Sequence, residues 1–156
     1  MDIQQGLTLD EPATTIRWDI TEPELATALW PVSANGTHGY WTAQVRVFAT
    51  LRCTLALQFS FNPLMLRGVL REIRFWRAPN IDPAASFPEL QRHLEGAFGP
   101  PDTTSLGGEG FPRHVWHTGP FEIVHTVYER FDLLEDTRIR RLTVLQRAFR
   151  ALGGAA

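Results

Sequence analysis

The chain has 156 residues, 44% of them hydrophobic, with 10 Phe, 5 Trp and a formal net charge of −2. That length fits one domain spanning residues 1–156, and the composition excludes a disordered chain, which would need lower hydrophobicity and higher net charge. All 15 basic residues are arginine, which excludes a Schiff-base lysine, a pyridoxal phosphate attachment and a phosphate-loop lysine.

The lone cysteine, Cys53, rules out an intramolecular disulfide and a multi-cysteine zinc site. Met1 to Gly6 lacks a basic start followed by an apolar run, so no signal peptide is expected and a cytoplasmic address is the simplest reading. The longest mostly apolar stretch, near Leu55 to Phe61, alternates with polar residues and falls far short of the ~20 needed to span a bilayer.

In chain order, Leu7 and Leu9 alternate with polar neighbours before Pro12, which predicts a short edge strand or arm. Thr14 to Asp19 is a β-branched run. Thr21 and Glu24 form a capping box, with Pro23 in the first turn, so a helix is expected from Thr21 until Pro31 stops it. Asn35 to Gly39 reads as a turn-rich loop. Tyr40 to Thr50 and Cys53 to Phe61 read as a hairpin, the second strand alternating cleanly through Leu55, Leu57, Phe59 and Phe61. Such alternation belongs to an antiparallel sheet with one face on a core.

Val69 to Trp76 predicts the next strand, and Ser86 with Glu89 a second capping box. Phe87, Leu90, Leu94 and Phe98 follow at helical spacing, and Gly99 before Pro100-Pro101 stops the helix. Residues 101–111 read as a glycine-rich loop. Arg113–Thr118 and Phe121–Arg130 form a hairpin about Gly119-Pro120. The tail, 137–156, fits a strand or, after about Leu142, a basic amphipathic helix.

Two stretches share one plan. Residues 14–61 and 69–130 each run strand, helix, glycine loop, strand, strand. Thr21 and Ser86 are displaced by 65 residues, and Gly36 and Gly39 by 71 from Gly107 and Gly110. The expected fold is therefore α+β: an antiparallel sheet of six or more strands with two helices packed on one face, from two tandem βαββ-like units.

The last hairpin holds the densest chemistry. With Gly119-Pro120 as a two-residue turn, His114 faces His125, Trp116 faces Ile123 and His117 faces Glu122. Glu129 shares the His125 face, so a His114, His125 and Glu129 metal site can be drawn. The same face carries Phe121, Ile123 and Val127, among which a histidine is ordinarily a hydrogen-bonded core residue. His117 with Glu122 could orient a general base, although next to a tight turn a solvated contact is the ordinary outcome.

The glycine loops follow helices and precede strands, the reverse of a dinucleotide-binding loop. Cys53 has only Arg52 beside it, and no serine sits in a nucleophile elbow. No cofactor is implied.

Charge falls in blocks. Residues 81–136 carry ten acids against three arginines, and the last twenty carry five arginines. The overall balance argues against a nucleic-acid binder. These features favour a small protein-binding module without catalytic activity, such as an immunity-type protein that masks a basic toxin. Glu109, Glu122, Asp132, Glu135, Asp136 and Trp116 are the expected partner-binding residues. The alternative is a small metal- or ligand-binding enzyme built on the histidines of the last hairpin.

Overall fold

Strand alternation dominates the architecture seen in a computed structural model, which describes residues 2–30, 34–37, 39–48, 51–62, 67–77, 82–107, 110–129 and 133–151. The fold is α+β, with a large antiparallel sheet and, among the described residues, three helices. Strands β1 (Leu7–Leu9) and β2 (Thr14–Ile16) form a small separate hairpin sheet. Helix α1 (Glu22–Ala28) leads into β3 (Ala34–Thr37), β4 (Tyr40–Val47), β5 (Leu51–Asn62) and β6 (Arg67–Trp76). Helix α2 (Pro83–Phe98) leads into β7 (Thr103–Leu106), β8 (Pro112–Thr118), β9 (Phe121–Glu129) and β10 (Leu133–Arg141), and α3 (Val144–Ala151) follows. The eight-stranded sheet has the order β3-β4-β5-β6-β10-β9-β8-β7. Both four-strand runs are thus meanders that meet at the β6–β10 pair.

One row of paired residues shows how the buried face is built. Trp41, Leu57, Ile73, Ile139, Ile123 and Trp116 lie opposite one another strand by strand. The four aliphatic members are fully buried, each worth about 1.5–3 kcal/mol of transfer free energy. Phe87 and Gln91 of α2 contact His125 on this face, and Ser86 contacts Glu135. From α1, Glu22 accepts from the indole of Trp41 at 2.9 Å. The N-terminal hairpin joins the same core, with Trp18 stacked on Phe121 at 4.7 Å between centroids.

The first capping box is present: Thr21 Oγ1 accepts from the Glu24 amide and Glu24 accepts from the Thr21 amide. The second is not. Helix α2 has its N-cap four residues before Ser86, at Asp82, which accepts from the Ala84 amide, with Pro83 in the first turn. An aspartate before a proline already supplies both start signals, so Ser86 lies inside the helix, buried.

Two stretches expected as loops contain edge strands, β3 and β7. The run at 14–19 pairs with β1, whereas Val69 to Trp76 lies at the centre of the large sheet, so the first strands of the two expected units hold unlike places. The tail divides: residues 137–141 complete β10 and α3 is the basic helix. Among the described residues, no helix is long and apolar enough to cross a membrane.

Candidate functional site

The last hairpin has the register expected from its turn: His114 opposite His125 and His117 opposite Glu122. The α2 side of the sheet encloses His125 completely. Its Nδ1 lies 2.8 Å from Gln91 Oε1 and its Nε2 lies 2.9 Å from Glu135 Oε1. Gln91 Nε2 donates to Glu95 at 2.7 Å, so the Gln91 oxygen is left to accept from His125. Ser86 Oγ donates to the second Glu135 oxygen, and Phe87 stacks on the imidazole at 4.1 Å. Buried polar groups are costly unless paired. Helix and sheet supply each other's partners here, which ties α2 to β9 and β10.

His114 is bound differently. Its Nδ1 lies 2.9 Å from Thr104 Oγ1 on β7, and its ring centre stands 6.4 Å from that of His125. Partial burial, then the neighbouring His125, hold its pKa below the ordinary 6.5. Glu129 ends β9, four residues along from His125. Both nitrogens of His125 are engaged by protein side chains, and the described residues contain no group of three His, Cys, Asp or Glu arranged to hold a metal.

Of the residues expected on an acidic partner-binding surface, Glu135, Asp136 and Trp116 are buried and Glu122 is partly buried. Glu109 and Asp132 lie outside the described residues. Trp116 is a core residue, 2% exposed, and its indole donates to the Gly99 carbonyl at 2.8 Å. Glu135 is buried against His125. Asp136, also buried, pairs with Arg74 Nη2 at 3.0 Å. Glu122 pairs with Arg140 at 2.7 Å, its other oxygen 3.7 Å from His117 Nε2. The carboxylates of one charge block meet the arginines of others because β10 lies between β6 and β9.

The opposite face of the sheet carries another pattern. Cross-strand neighbours share a face, so the register assigns to it Arg46, Arg52, Arg74, Arg138, Arg140 and Arg113 against Glu72, Asp136 and Glu122. Among these residues arginines outnumber carboxylates. Two arginine pairs stand directly opposite each other: Arg46 with Arg52, and Arg74 with Arg138. In each pair one member has a carboxylate. Arg46 holds Glu11 at 2.9 Å and Arg74 holds Asp136. Among the described residues, no carboxylate comes within ion-pair distance of Arg52 or Arg138, and Arg138 Nε is shielded from solvent without a hydrogen-bond partner.

Beside the central pair, Tyr40, Trp76 and Tyr128 line a cleft of about 230 Å³ with Arg74 and Asp136. Tyr128 Oη accepts from Arg74 at 3.4 Å. Burial disfavours the Arg74 charge, but Asp136 and then Tyr128 more than offset this and raise its pKa, so Arg74 is a fixed cation.

No protein-family model matches the chain, and no curated protein or solved structure does either. Sequence reasoning missed Arg74, Arg138 and Arg52, although alternation along β5, β6 and β10 puts them opposite the apolar side chains. The available signal was a string of arginines at the polar positions of otherwise apolar strands.

Proposed function

We propose that this chain is a protein-binding module without catalytic activity, whose open sheet face receives an acidic segment of a protein partner. One observation carries the reading: two directly opposed arginine pairs, each neutralised on one side only among the described residues. Like charges directly opposite one another destabilise a sheet. An anionic partner would turn that cost into attraction, steering encounter and fixing orientation. Tyr40 and Trp76 stand beside the central pair, and Tyr, Trp and Arg are the side chains most enriched at interface hot spots. An immunity-type role is one form of this reading, and it asks the toxin to present acidic rather than basic residues to this face.

A duplicated origin for the sheet fits the same picture. The unit we infer is a helix followed by four strands, α1 with β3–β6 and α2 with β7–β10. Thr21 and Asp82 are then the equivalent caps, and Gly39 and Gly110, with φ of 83° and 78°, are equivalent turn glycines.

The test is a paired capture from the source cells, using as baits the native chain, Arg52→Glu with Arg138→Glu, and Arg92→Glu on α2. The expected result is an acidic protein retained by the native and Arg92→Glu baits and lost from the double variant. A partner held equally by all three baits would place binding elsewhere.

A further inference from the structure

Where α3 lies against the open face, it closes a second and larger pocket of about 430 Å³ between itself and β8–β10. Arg113, His117, Glu122 and Arg140 line it from the strands, and Phe149 and Arg150 from the helix. The volume falls in the range of small-molecule sites.

The charges in this pocket do not balance. Glu122 is the one carboxylate among its lining residues and is held by Arg140 at 2.7 Å. His117 Nδ1 faces Asp102 at 3.6 Å, outside the pocket wall. Arg150 Nη2 donates to the Gly119 carbonyl at 3.4 Å, while its Nη1 is shielded from solvent with no partner. Arg113 has no carboxylate within ion-pair distance among the described residues. The pocket wall thus carries three guanidinium groups and one carboxylate, and among the described residues neither Arg113 nor Arg150 has an acidic partner. A desolvated guanidinium nitrogen without a partner is costly, and planar guanidinium groups match carboxylate and phosphate oxygens in bidentate geometry.

The other wall is apolar. Val115 and Leu142 are buried beneath the pocket, and Phe149 reaches its rim from α3 although its ring is 68% exposed. A free oxyanion alone would leave that wall unused.

We propose that this pocket binds a small organic anion, a carboxylate or phosphate carried on an apolar ring or chain, with Arg113 and Arg150 on the oxyanion and Phe149 against the apolar part. The site uses none of Arg52, Arg74 or Arg138, so it does not depend on the partner-binding reading above.

The test is titration of the full chain with phenyl phosphate, phenylacetate, inorganic phosphate and benzyl alcohol, followed by calorimetry and amide chemical shifts. At least one aromatic anion is expected to bind roughly tenfold or more tighter than neutral benzyl alcohol, the scale of one charge-assisted contact. The tighter of the two names the head group. Shifts should centre on β8, β9 and α3. Arg113→Gln, and separately Arg150→Gln, should each weaken that anion about tenfold, while Phe149→Ala should weaken it without changing inorganic phosphate. Arg113 makes no ion pair among the described residues, so an unperturbed amide spectrum of its variant is expected. Equal binding of the anions and benzyl alcohol, or native affinity in both arginine variants, would overturn the proposal. So would a Phe149→Ala variant that binds both aromatic anions as the native chain does.

Discussion

Arg74 and Arg138 stand directly opposite each other on the two central strands, and among the described residues only Arg74 has a carboxylate, with Asp136 at 3.0 Å. Opposed like charges cost stability, so Arg138→Met should raise the unfolding free energy by a few tenths to about 1 kcal/mol, read as a higher urea midpoint. The mirror-image change should do the opposite: Arg74→Met leaves a buried Asp136 without its cation and should cost about 1–3 kcal/mol. A destabilised Arg138→Met would mean that Arg138 is already neutralised within the chain.

The contacts of Ser86 and Asp82 separate two kinds of loss. Asp82→Ala removes an N-cap and should cost about 1 kcal/mol, as should Thr21→Ala. Ser86→Ala instead takes a donor from buried Glu135, and about 1–3 kcal/mol is expected. Chemical denaturation of the three variants checks this. Equal midpoints for Ser86→Ala and the native chain would contradict the buried network.

How much of this was legible in the sequence depends on where each residue's partner sits. The last hairpin was readable because Gly119-Pro120 sets its register locally. The burial of His125 had a signal in Ile123 and Val127 beside it. Ser86 with Glu89 carries the capping-box pattern yet falls inside a helix, because Asp82-Pro83 offers an earlier start. Strands β3 and β7 escaped notice because short edge strands rich in Gly, Thr and Ser have no apolar alternation to show. The acidic run at 81–136 did not place Asp136 and Glu122 in an acidic patch, since the pairing of β6 with β10 and of β10 with β9 puts Asp136 beside Arg74 and Glu122 beside Arg140. Those pairings span long sequence separations that no local pattern encodes.

The lowered pKa of His114 gives a pH dependence with a definite sign. Below about 6.5 the unfolded chain binds this proton while the folded chain resists it, so stability falls as pH drops from there to the folded value. The difference between native and His114→Gln unfolding free energies should therefore change over that window and be flat above it. A flat difference throughout would show that the imidazole is as easily protonated when folded.

Cys53 tests the seal of the core. Burial, the largest effect on it, pushes the thiol up to about 12, and a protonated, enclosed thiol is a poor nucleophile. At pH 8 the native chain should react negligibly with an aromatic disulfide reagent, and should release one thiol per chain in guanidinium. Rapid native reaction would mean that the sheet opens at β5.

The central claim is that the open sheet face binds an acidic polypeptide, and it is tested most directly by titrating the isotope-labelled chain with a capped peptide of alternating Glu and Tyr. The account predicts amide shifts centred on β4, β5, β6 and β10 around Arg52, Arg74 and Arg138. It predicts binding that weakens as salt shortens the reach of surface charge to ~8 Å near physiological ionic strength. It also predicts affinity about tenfold lower in Arg138→Met, a variant expected to be more stable than the native chain, so that loss of binding could not be loss of fold. Shifts confined to the helices, or full affinity in Arg138→Met, would contradict it.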